Sequence, residues 1–74
     1  MDRLTAIFRE VLDVPDLEID GLSRTNIPAW DSLAHVKLII AIEEEFDVKF
    51  TIDQVANIGS VAEIRELLSE RNVA

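Results

Sequence analysis

The sequence predicts an all-α fold, a small four-helix bundle of three longer helices and one short one. Three observations predict it. Apolar residues recur at helical spacing in separate stretches, each bounded by a proline, a glycine or a capping residue. The middle stretch, Leu33 to Phe46, contains no Pro or Gly and is rich in the helix formers Leu, Ala, Lys and Glu. The one strand-like alternation, Asp47-Val48-Lys49-Phe50, has no second strand nearby to pair with and reads as a connector.

The first helix spans about Arg3 to Asp13. Leu4, Ile7, Phe8, Val11 and Leu12 fall at i, i+3, i+4, i+7 and i+8, one apolar face, and Val14-Pro15 ends the pattern. From Pro15 to Ala29 the chain reads as a long loop, with Leu17, Ile19, Leu22 and Ile27 spaced to pin it across the helices and a turn at Asp20-Gly21. The central helix opens after Pro28, with Asp31 or Ser32 as its N-cap, and runs for about four turns. Leu33, Val36, Leu38, Ile39, Ile40, Ala41, Ile42 and Phe46 cover more than the single stripe a surface helix needs. The other elements are therefore expected to wrap around its Leu38–Phe46 side. Thr51 with Gln54 fits a capping box and starts a helix of one to two turns through about Ala56 or Asn57, stopped near Gly59. Ser60 with Glu63 reads as a second and cleaner box. The last helix follows, with Val61, Ile64, Leu67 and Leu68 on one face, and ends near Arg71-Asn72.

The 74 residues are expected to form a single domain, 1–74. A chain this short buries only about 60–65% of its unfolded surface, so a deep enzyme cleft is not expected. Fifteen acidic against seven basic residues give a net charge of -8, which disfavours nucleic acid and favours basic protein partners. With no cysteine, neither a disulfide framework nor a thiolate metal site is possible. No signal pattern and no apolar run of membrane-spanning length is present, so a cytoplasmic monomer is the expectation. Asp16, Glu18, Asp20 and Gly21 match the first half of a calcium-binding EF-hand loop, but position twelve, which should be a glutamate, is Ile27. The loop is expected to bind divalent ions loosely, with no dedicated metal site.

Asp31, Ser32 and His35 do not make a hydrolase. Asp31 and Ser32 are sequence neighbours that point in different directions, there is no Gly-x-Ser-x-Gly elbow, and His35 reads as a solvated surface histidine. No catalysis of the chain's own is expected. Ser32 has two readings: an N-cap worth about 1 kcal/mol, or a covalent attachment point at a helix N-terminus whose partial positive charge favours a phosphodiester. Glu43, Glu44, Glu45 and Asp47 sit where the helix dipole favours cations; they read either as a solvated face or as a docking surface for Lys/Arg-rich enzymes. Val36, Ile39 and Ile40, with Val55 and Ile58, read as core by default or as the lining for an apolar ligand.

Asp31-Ser32-Leu33, then Val36, Leu38 and the run Glu43-Glu44-Glu45-Phe46, resembles the modification site and following helix of acyl carrier proteins. The resemblance covers roughly Leu4 to Arg71, including the long first loop and the short third helix. It implies a 4'-phosphopantetheine arm on Ser32, with Asp31 and Leu33 completing the motif, and an acyl or aminoacyl group carried on its thiol as a thioester. It implies that Asp31 helps a phosphopantetheinyl transferase position its magnesium. An acyl-loading ligase or acyltransferase and a downstream synthase or transferase would be the other partners. It also favours an acyl-chain or partner role for Val36, Ile39, Ile40, Val55 and Ile58, and docking at Glu43, Glu44 and Asp47. Ala29 stands where many fatty-acid carriers have glycine, Lys37 where they are commonly acidic, and His35 is also atypical. The Trp30-to-His35 run looks more like discrete carriers serving one specialised pathway. The competing expectation is a cofactor-free acidic helical interaction module.

Overall fold

The computed structural model describes residues 2–71. Four helices follow in order: α1 (Arg3–Leu12), α2 (Ser32–Phe46), α3 (Ile52–Asn57) and α4 (Val61–Glu70). There is no strand among the described residues. The all-α expectation holds, with three longer helices and a short third one, and the expected end near Arg71-Asn72 falls partly outside the described residues.

Each start is capped by a side chain the sequence places there. Asp2 accepts from the Thr5 amide at 2.8 Å, and that backbone bond is the main cause holding its carboxyl down to about 2. Asp31 accepts from the Ala34 amide at 2.9 Å. Thr51 and Gln54 form the full reciprocal box. Ser60 accepts from the Glu63 amide at 3.3 Å, but the Glu63 carboxylate takes the Ser60 hydroxyl at 3.2 Å. The second box is thus only half made, and the Thr51 box is the more complete of the two.

The helix ends were less legible. α1 and α2 both stop at an aspartate in the left-handed region, Asp13 at φ 58° and Asp47 at φ 54°. The next valine amide then reaches back five residues, Val14 to Arg9 at 3.1 Å and Val48 to Glu43 at 3.1 Å. This is the hydrogen bond of a Schellman motif, with aspartate standing where glycine is usual.

The core is built on α2. Leu38 and Ile42 are fully buried, Ala34 and Ile39 nearly so. They meet Leu4, Phe8 and Leu12 of α1 and Val61, Ile64 and Leu68 of α4. The long loop is pinned as its apolar spacing predicts: Ile19 is buried, and Leu17, Leu22 and Ile27 pack partly against the core. Its turn closes with the Leu22 amide on the Ile19 carbonyl at 2.9 Å, and Gly21 takes the φ of +80° that favours glycine at the third turn position. Two backbone bonds then tie the loop to the start of α4, Arg24 to Gly59 at 2.9 Å and Val61 to Leu22 at 3.0 Å, an isolated antiparallel bridge at Ser23 and Ser60. Leu22 and Val61 are too distant in sequence for any local pattern to announce it.

Candidate functional site

The head of α2 divides labour between two adjacent residues. Asp31, with extended backbone, is the N-cap, and its carbonyl accepts the first helical bond from His35 at 2.8 Å. Ser32 is therefore the first helical residue and not the cap, which removes the capping reading of its hydroxyl. It is exposed, and among the described residues none hydrogen-bonds its side chain. With Ala34 capped, the Ser32 and Leu33 amides face outward at the positive end of a 15-residue helix. An exposed, uncommitted hydroxyl beside two free amides fits a phosphodiester.

Around this head lies an apolar stripe. Leu33 is 65% exposed, and Val36 and Ile40 are each 51% exposed. They follow at i, i+3 and i+7, one line along α2 leading away from Ser32. Ile39 leaves this line: it is buried in the core, as is Ile58, while Val55 is partly buried. The anticipated set Val36, Ile39, Ile40, Val55 and Ile58 is therefore divided between surface and interior. Ile52, at the start of α3, is 87% exposed, and its place on the surface was not anticipated.

Farther along, Ile40, Glu43, Glu44 and Asp47 come together with Val48 and Lys49 around a shallow groove of about 380 Å³. Glu44 and Asp47 are exposed. Glu43 is half-buried, and its carboxylate accepts the Phe50 amide at 2.8 Å, which ties down the connector to α3. Glu45 points elsewhere, 3.6 Å from Arg3. The acidic cluster is thus partly a scaffold, and Lys49 tempers its charge.

His35 overturns its sequence reading. Expected as a solvated surface histidine, it is 6% exposed and bonded on both ring nitrogens, to the Trp30 indole at 3.0 Å and to the Val55 carbonyl at 2.8 Å. Asp16, Glu18 and Asp20 are exposed, and among the described residues no three His, Asp or Glu side chains gather to hold a metal.

A family model for the phosphopantetheine attachment site matches residues 2–68. The chain is 34% identical to an acyl carrier protein of Zymomonas mobilis over 93% of its own length and 90% of that protein's. It is 32% identical to one of Phenylobacterium zucineum, over 96% and 91%. It is 29% identical to the chloroplastic acyl carrier protein 3 of Cuphea lanceolata, over 92% of this chain but only 48% of that longer protein. No solved structure gave a significant match. The chain belongs to the acyl carrier protein family, whose members bear a phosphopantetheine attachment site. Membership implies a covalently attached 4'-phosphopantetheine. Among the described residues no helix is long and apolar enough to cross a membrane.

Proposed function

We propose that Ser32 is the attachment point and that the chain is a non-catalytic, single-domain carrier. On this reading it tethers an acyl or aminoacyl group as a thioester and presents it to the enzymes of a specialised biosynthetic pathway. The observation that carries the assignment is the division of roles at the head of α2: Asp31 caps the helix and leaves the Ser32 hydroxyl exposed and uncommitted. In the transfer from coenzyme A, Ser32 Oγ would bond to the phosphorus next to pantetheine and lose its proton as the pyrophosphate P–O bond breaks and adenosine 3',5'-bisphosphate leaves, the adjacent amides favouring the phosphodiester charge. When bound, the group supplies a thiol on a long arm, the point at which cargo is held.

The surface beyond Ser32 fits enzyme recognition. Leu33, Val36 and Ile40 offer an apolar strip, and Glu44 and Asp47 offer carboxylates to a basic partner. Such partners would be a phosphopantetheinyl transferase, a loading ligase or acyltransferase, and a downstream synthase or transferase. Asp31, exposed beside Ser32, would on this reading help a transferase hold its magnesium. A monomer working in the cytoplasm completes the reading. Incubation with a transferase and a medium-chain acyl-coenzyme A should add one acyl-phosphopantetheine per chain, from which neutral hydroxylamine releases the acyl group. No added mass, or an acyl group that hydroxylamine leaves in place, overturns the proposal.

A further inference from the structure

Of the four helices, α3 is the least anchored. It has six residues, too few to persist alone, and none of them is buried. Its first turn is closed by the Thr51–Gln54 box. Near its end, the Val55 carbonyl is one of the last four of the helix, which lack partners in the helix's own pattern. That carbonyl lies 2.8 Å from Nε2 of His35. On the other side of the ring, Nδ1 lies 3.0 Å from Nε1 of Trp30.

The indole fixes the roles. Its N–H can only donate, so His35 Nδ1 must be a bare acceptor. The single proton of the neutral imidazole then sits on Nε2 and is donated to Val55. The opposite tautomer sets one N–H against another and a bare nitrogen against a carbonyl oxygen, so both contacts become repulsive. Trp30 is itself held edge-on by Phe8 of α1, with ring centroids 5.1 Å apart. A line of contacts thus runs from α1 through Trp30 and His35 to α3, and its two central members bracket Ser32 in the sequence.

We infer that His35 is a positioning residue of the attachment site: through Val55 it clamps α3 to the first turn of α2, so that Ser32 is offered to its modifying enzyme beside a fixed α3. The inference rests on the reading of Ser32 as the acceptor. Removing the ring's hydrogen bonds leaves the Trp30 N–H and the Val55 carbonyl without partners and loosens α3, which keeps the bond from Arg71 to Gln54 at 3.3 Å.

Nitrogen-15 spectra of the full chain at neutral pH should show His35 protonated on Nε2 and bare on Nδ1; Trp30→Phe should shift the Nδ1 signal as its hydrogen bond is lost while the Val55 carbonyl keeps the proton on Nε2. His35→Phe should speed amide exchange in residues 52–58 by about tenfold relative to α1. It should also raise the transferase KM for this protein while leaving kcat nearly unchanged. A proton on Nδ1 in the wild-type chain, exchange accelerated equally in all helices, or an unchanged KM overturns the inference. An unchanged KM leaves the Ser32 assignment standing, whereas a wild-type chain that gains no mass with the transferase removes both. If His35→Phe does not fold, the tautomer of the wild-type ring and its response to Trp30→Phe decide the matter.

Discussion

Asp31 and Ser32 are both good capping residues, and from sequence alone either could close the first turn of the central helix. The backbone settles it: Asp31 is extended and its carboxylate takes the Ala34 amide, while Ser32 is already helical. Asp31→Ala should therefore destabilise the protein by about 1 kcal/mol, the usual value of a lost cap. Ser32→Ala should change stability by less than about 0.5 kcal/mol, as an exposed substitution that breaks no bond. Denaturant unfolding of the two variants checks the order, and a larger loss at Ser32 would show that its hydroxyl is structurally committed. The motif around Ser32 was legible because residue types and spacing carry it. His35 was not, because its partners are an indole five positions back and a backbone carbonyl twenty positions ahead. A carbonyl leaves no mark on a sequence.

The four helices were readable because each start has a side chain that names it and each core face repeats at helical spacing. Ends are harder: Asp13 and Asp47 adopt the left-handed conformation without being glycine. At Asp47 the strain adds to a charge placed at the negative end of the helix dipole. Asp47→Gly should relieve both and stabilise the protein by about 0.5–1 kcal/mol, while Asp47→Asn should keep the tolerated conformation and recover only the charge part. The same change removes a carboxylate from the groove with Glu44, so a transferase that docks there should show a higher KM for a more stable protein. Thermal melts and transferase kinetics on the pair test this. A destabilised glycine variant would refute the strain argument, and an unchanged KM would remove Asp47 from the docking surface.

Across the whole molecule, a net charge of -8 makes the folded state repel itself. The sequence suggests that the acidic loop through Asp16, Glu18 and Asp20 has no compensation before Arg24. The fold supplies some from far away: Arg65 of α4 lies 3.0 Å from Asp2 and 3.5 Å from Asp20. That pairing was invisible because it joins chain ends that only tertiary packing brings together. Exposed pairs of this kind contribute little, roughly 0–1 kcal/mol each, so the net repulsion should still dominate. Added salt should raise the melting temperature of the wild type and raise that of Arg65→Ala more steeply. The transferase KM should rise over the same series, since screening weakens docking of a basic enzyme. A melting temperature that falls with salt would mean the charge is already balanced, and a flat KM would mean the acidic face is not what the enzyme meets.

The assignment of Ser32 meets its most direct test in one mass spectrum. Wild-type protein and Ser32→Ala, each folded and each incubated with a phosphopantetheinyl transferase and coenzyme A, are compared intact. Ser32 as the sole acceptor predicts one phosphopantetheine added to the wild type and none to the alanine variant, with both chains melting at nearly the same temperature. A modified alanine variant would contradict it and move the attachment to another residue, and a wild type that gains nothing would leave the chain without its arm.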